Sequence, residues 1–305
     1  MKRYIFRRLL LCIVVVWVVS ILIFCATRIG PDPVLLMADP GASEQDLAAL
    51  RNRFGLDRPL PLQYLIFVWR GLRGDFGEST TFGLPVSEIV LQHLPASVEL
   101  IAAAKLIALI IGLLAGVLAV RGQGRWIDNS MRIFSLLGLS IPSFWIGMLA
   151  ILLFSFYLKL LPTSGRGGIE HLLMPAFSLA WHFSAGYMRL TYSSLLEVLN
   201  EEYIKFARLK GVPEIAVLAR HALKNALIPI VTFAGMNVVV MISAAVTIEA
   251  VFSWPGLGFL LYQAALHRDF NVVQAVVIFL SVLMVFLSLL VDILYAYLDP
   301  RIRYT

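Results

Sequence analysis

Residues 201–229 read EEYIKFARLKGVPEIAVLARHALKNALIP, the only long polar segment between the hydrophobic runs of the second half of the chain. Lys205, Arg208, Lys210, Arg220, His221 and Lys224 are spread over two short helical patterns that meet at Gly211-Val212-Pro213. Glycine ends a helix cheaply by turning left-handed, and proline is tolerated in the first turn of the next one, so two helices at an angle are expected. Tyr203, Phe206, Ala207 and Leu209 to Lys210 fall near helical spacing, which sets an aromatic stripe beside a basic one. Beyond the break, Ile215, Leu218, Ala219, Ala222 and Leu223 predict an apolar face, with Arg220 and Lys224 a cationic pair four apart. Two readings fit: an exposed docking element, or a membrane-surface amphipathic helix that only connects two spans.

Outward from this loop the chain is apolar. Of 305 residues, 60% are hydrophobic and 14% charged, against about 25% charged in a soluble domain. The formal charge of +6 does not indicate nucleic acid, because basic residues flank apolar runs rather than lining a groove with stacking aromatics. Anionic lipid and a cytoplasmic partner account for it better. Cys12 and Cys25 lie 13 positions apart in the first apolar run, about 20 Å along a helix, too far to bridge. That run is too long for a cleaved signal, and no small-x-small site follows it, so a retained anchor is expected.

Lys2, Arg3, Arg7 and Arg8 precede the run from Leu9 to Ala26, which places the amino terminus in the cytoplasm. Residues 28–94 are rich in proline and glycine and predict a small extramembrane subdomain with helices at Ser43 to Phe54 and Leu62 to Leu72. Further spans are expected at about 97–120, 133–158, 172–195, 228–252 and 272–298. Ser97 is a candidate cap, Glu99 falls in the first turn, and Gly112-x-x-x-Gly116 permits close helix approach. Ile141-Pro142 predicts a kink, and Pro175 interrupts the fourth span early. Trp254, Pro255 and the two glycines after them predict a turn at the membrane interface. Fifteen of the 25 Lys and Arg fall on the predicted cytoplasmic side and nine on the other, with Lys105 inside a span. The fold class expected is an all-α polytopic membrane protein: six transmembrane helices, both termini cytoplasmic, and a small extracytoplasmic subdomain between the first two helices. The division expected is an anchor helix at 1–28, the outer subdomain at 29–95 and a transmembrane core at 96–305 with a cytoplasmic loop at 197–229.

Chemistry is sparse. The glycine clusters at 122–124 and 165–168 lack the Gly-Lys-Ser/Thr ending that holds phosphates, so the chain is not expected to hydrolyse ATP. Five scattered histidines have no ligand spacing, and no metal site is expected. Neither a nucleophile elbow nor an H-E-x-x-H pair occurs. Charges within spans are Lys105, Glu249 and Asp292, each either an interfacial or interhelical contact or part of a transport path. Ser140, Ser143, Asn237 and Ser281 are candidates for lining such a path.

The start Tyr4-Ile5-Phe6-Arg7-Arg8-Leu9, the outer segments Phe54-Gly55-Leu56-Asp57-Arg58-Pro59-Leu60 and Gly74-Asp75-Phe76-Gly77, the loop above, Glu249 through Gly258 and the ending Leu298-Asp299-Pro300-Arg301-Ile302-Arg303 occur in order. With them the chain resembles the first permease subunit of the peptide and nickel class of ATP-binding-cassette importers, the dipeptide, oligopeptide, glutathione and nickel permeases. The resemblance implies the type I importer permease fold in a bacterial inner membrane. It implies that the loop is similar to the EAA motif, whose two short helices seat in a cleft of an ATPase subunit. Tyr203, Phe206, Ala207, Arg208, Lys210 and Gly211 would then transmit ATP-driven closure. Val212, Pro213, Arg220, His221, Leu223, Asn225 and Pro229 would carry it through the following helix. Lys205 stands where the general motif has its glutamate, and the spacing from Gly211 to Pro229 exceeds the general form. The implied partners are a second homologous permease, two ATPase subunits or domains that bind ATP and Mg, and an extracytoplasmic binding protein. No cofactor is implied for this chain. A stand-alone secondary transporter or channel is the rival, but no clear inverted repeat is present and intramembrane charges are few. A membrane scaffold would not require the docking loop.

Overall fold

The computed structural model describes residues 2–28, 43–45 and 57–298, with side chains described for 7–28, 43–45 and 57–293. Most of the helix expected over 43–54, the Phe54-Gly55-Leu56 motif and the ending after Leu298 lie outside the described residues. Among the described residues every regular element is helical, apart from an isolated bridge between Glu78 and Pro85. In chain order these are α1 (Lys2–Ala26), α2 (Leu60–Leu72), α3 (Val86–Arg121), α4 (Trp126–Ser140), α5 (Ser143–Tyr157), α6 (Ile169–Leu199), α7 (Glu202–Leu209), α8 (Glu214–Val251), α9 (Leu257–Leu266) and α10 (Phe270–Leu298).

Two compact units form, Met1–Pro95 with Gly256–Thr305 and Ala96–Pro255. In the first, α1 packs along α10, where Arg8 pairs with Asp292 at 2.9 Å and the Gln274 amide donates to the Thr27 hydroxyl. Helix α2 rests on α1 through Ser20 and Tyr64, 2.8 Å apart, and through the edge of the Phe24 ring. The turn before α10 is anchored by Asp269, whose fully buried carboxylate accepts from the Ser79 hydroxyl at 2.5 Å and the Thr81 and Val272 amides. Such a residue at the N-cap satisfies amides that have no helical partner. Replacing Asp292 by Asn keeps the shape and removes the charge that faces Arg8. A loss of about 1 kcal/mol in stability is expected, the scale of a partly exposed ion pair. Thermal denaturation of the purified protein in detergent checks it, and an unchanged midpoint contradicts it.

In the second unit α6 is the centre. Fourteen of its residues are buried, packed by α4, α5 and α8. Small residues let the helices approach closely: a Cβ built on Gly112 would lie 2.4 Å from the Tyr187 Cβ and 2.8 Å from the Ser184 carbonyl. Trp254 is fully buried, its Nε1 donating to the Ala96 carbonyl at 2.8 Å, while Arg166 lies over its ring and pairs with Glu99.

Several expectations change. Ser97 caps nothing, because α3 starts at Val86 and runs through Pro95; Ser97 and Glu99 lie in its interior. Pro175 likewise sits inside an unbroken α6. At Ile141-Pro142 the chain does more than kink: α4 and α5 meet at 102°. Proline removes a backbone donor and pushes the residue before it out of helical geometry; here Ile141 is extended at φ −92°, ψ 123°. The turn after α8 exists, with Ser253 at φ +46°, but Trp254 belongs to the core rather than to an interface. Among the described residues four helices are long and apolar enough to cross a membrane, α1, α3, α8 and α10, and counting the bent pair α4–α5 as one span brings the number to five. Helix α6, at 31 residues, is long enough for a sixth span but too polar to meet the same criterion.

Candidate functional site

Helix α7 has eight residues and would not persist alone in water. Ile204 fixes it: the side chain is fully buried with Leu195, Val217, Leu218 and Ala222 in a small core of its own. Ala207, Val212 and Leu223 pack on that core, half-buried. Lys210 ends the helix, and Gly211 follows at φ +78°, its amide donating to the Arg208 carbonyl at 2.9 Å. The left-handed conformation is one that only glycine adopts without penalty. Pro213 sits at the N-cap of α8 rather than in its first turn. Arg208 spans the turn and pairs with Glu214 at 2.7 Å, and the carboxylate raises the guanidinium's pKa above its ordinary value.

On the outward face Phe206, Leu209 and Ile215 are 62, 82 and 69% exposed. Tyr203 is also exposed, its hydroxyl accepting from the Asn225 amide at 2.6 Å. Arg220, His221 and Pro229 are exposed on α8. Three large apolar side chains are thus exposed around a Lys- and Arg-bearing turn, a kind of patch that on other proteins marks interaction sites. Of the apolar face expected from Ile215, Leu218, Ala219, Ala222 and Leu223, Leu218 and Ala222 are buried while Ile215 and Ala219 are exposed, residues Val217–Ala222 being wound as a π-helix that shifts the register. That register puts Val217 and Leu218 inside with Ala222. Sequence reasoning passed over Ile204; as the one β-branched aliphatic in α7 it could have been found.

Among the polar residues of the spans, Asn237 lies beside the Tyr187 hydroxyl, which in turn accepts from Lys105 Nζ at 2.7 Å. Lys105 also donates to the Ala234 carbonyl. Ser140 and Ser143 flank the α4–α5 break, Ser140 exposed and Ser143 half-buried. Glu249 is buried near the end of α8, its main-chain carbonyl accepting from the Trp254 amide. Ser281 is satisfied within α10 by the Val277 carbonyl. Ser281 and Asp292 belong to the first unit, and Lys105, Ser140, Ser143, Asn237 and Glu249 to the second. Tyr187, which sequence reading did not single out, is the junction, and nothing in its spacing marks it. Among the described residues no group of His, Cys, Asp and Glu could hold a metal.

Residues 108–304 match the family described as binding-protein-dependent transport system inner membrane component, and residues 1–101 match the amino-terminal family of such membrane components. The oligopeptide transport system permease protein AppB of Bacillus subtilis is 39% identical over the whole of both chains. The glutathione transport system permease protein GsiC of Escherichia coli is 36% identical, again over all of both. In fold, the chain is similar to a solved structure of the inward-facing MetNI methionine ABC transporter, with a TM-score of 0.58 and 17% identity. That likeness covers 69% of this chain and 96% of the other.

Proposed function

Since the chain belongs to the family of binding-protein-dependent transport system inner membrane components, we propose that it forms half of the translocation pathway of an ABC importer for small peptides or glutathione. It is a permease subunit and not an ATPase. The names of its relatives favour peptides and glutathione over chelated nickel. On this reading six spans cross the inner membrane with both termini in the cytoplasm, α6 being the polar one because protein rather than lipid surrounds it. Residues 1–28 are the anchor, 29–95 an extracytoplasmic subdomain, and 96–305 the core. The loop 197–229 is the coupling element.

The observation that carries the reading is the hairpin of α7 and the start of α8. It is held rigidly by Ile204 and Gly211 while presenting Phe206, Leu209 and Ile215 to solvent. A membrane-surface helix would bury those side chains in lipid, but it would have no use for a braced turn between two helices at this point. A partner that hydrolyses ATP can push on such an element as a lever, since the fully buried Ile204 and Ala222 lie in one core with Leu195 of α6. ATP and Mg would be held by two such partners, and a second permease subunit would complete the pathway. An extracytoplasmic binding protein would deliver substrate.

The test is uptake of radiolabelled dipeptide, pentapeptide or glutathione into proteoliposomes. Uptake is expected only when both permeases, the ATPase subunits, the binding protein and ATP are all present. Uptake by this chain alone, driven by an ion gradient, would establish the secondary transporter instead.

A further inference from the structure

Lys105 lies 19 residues after Val86 and 16 before Arg121 in α3, about 24 Å from the nearer end of that helix. An ammonium at that depth normally snorkels to the interface or pairs with a carboxylate, because an unmatched charge in the membrane is expensive. Lys105 does neither. Its Nζ donates to the Tyr187 hydroxyl at 2.7 Å and to the Ala234 carbonyl, both neutral acceptors. No carboxylate pairs with it among the described residues. An ammonium has three donors, so one N–H and the whole of the charge are left over. Tyr187 itself is fully buried and locked by Gly112 behind it and by the Phe233 ring at 5.6 Å, so the head group is held in place. Lys105 remains half-buried.

We infer that Lys105, held by Tyr187 and Ala234, is a substrate-contacting residue that binds the carboxylate of a peptide as it passes through the membrane. The inference rests on the peptide-importer reading above. A carboxylate supplies the missing charge and an acceptor for the third N–H, which offsets the cost of holding the ammonium unmatched in the empty state. Lipid phosphate does not reach this depth. Binding at such a point must be transient, so the effect belongs to transport rate.

The test compares variants in the complete transporter reconstituted with its binding protein, using alanyl-phenylalanine and its C-terminal amide as probes. Lys105→Gln keeps two N–H donors for Tyr187 and Ala234 and removes the charge. Uptake of the acid is expected to fall at least about tenfold, the scale of losing one charged contact. Lys105→Arg should restore most of it, and Tyr187→Phe, which keeps the charge and deletes one partner, should lose less than about threefold. Wild-type rates in Lys105→Gln, or equal losses in Lys105→Gln and Tyr187→Phe, would overturn the inference by making Lys105 a helix tie. Should Lys105→Gln not assemble, the wild type decides: amide loaded on the binding protein and imported as fast as acid overturns it. Absence of any ATP-driven peptide uptake by the wild type would instead refute the importer reading itself.

Discussion

Gly211→Pro is expected to leave the protein inserted in the membrane and to abolish ATP-driven uptake. Gly211 holds φ at +78° and uses its amide to close the turn onto the Arg208 carbonyl. Proline fixes φ near −65°, has no amide hydrogen, and pushes Lys210 out of the near-helical geometry that ends α7. The turn is therefore re-routed, at a local cost on the order of 2 kcal/mol or more. Arg208 loses Glu214, and Phe206 and Leu209 no longer share a surface with Ile215. The spans themselves do not depend on this turn, so expression in the membrane should persist. Gly211→Ala provides the graded comparison. A Cβ there meets nothing within 4 Å, so only the left-handed strain remains, about 1 kcal/mol, and most uptake should survive. Measuring uptake and retention of the ATPase on purification separates the two variants. Gly211→Pro with full uptake would show that the turn does not couple.

The second large effect is expected inside the membrane. Gly112→Ala places a methyl group 2.4 Å from the Tyr187 Cβ and 2.8 Å from the Ser184 carbonyl, and both lie on α6 close to its backbone. No rotamer relieves such an overlap. Helices α3 and α6 must separate, with an expected loss of about 3 kcal/mol that reads as a large fall in melting temperature and yield. Gly116 makes the same approach to Thr191 and to the Met188 carbonyl, so Gly116→Ala should behave alike. A Gly112→Ala protein as stable as the wild type would mean that the helices are not packed at this distance.

These two glycines also show what the sequence could reveal. Gly112 and Gly116 advertise close packing by spacing alone, and Gly211 followed by Pro213 advertises a turn, because both signals are local. The long apolar helices α1, α3, α8 and α10 are legible for a similar reason: hydropathy measures what a side chain would meet in lipid. Helix α6 defeats that measure. Its Ser178, Ser184 and Thr191 are buried in protein, so its sequence has no need to be uniformly apolar, and only its length signals a span. Proline was over-read at Pro175, where the helix continues, and under-read at Pro142, where the chain turns by 102°. A proline's local rule states what bond is lost and leaves tertiary packing to decide whether the helix survives. At the hairpin the aromatic and basic stripe was visible. The anchor Ile204 and the register shift through Val217–Ala222 were not, since both depend on how the hairpin meets α6. The partners of Lys105 were hidden for the same reason, lying 82 and 129 residues away.

The most direct test of the account places a single cysteine at position 206 in a chain whose Cys12 and Cys25 have been changed to alanine. The assembled transporter is then treated with a short thiol cross-linker carrying cysteines on the ATPase cleft. The account predicts a cross-link between this chain and the ATPase, in membranes open only to cytoplasmic reagents, with a yield that changes between ATP-bound and ATP-free states. Labelling of position 206 only from the opposite side of the membrane, with no ATPase cross-link in either state, would contradict it.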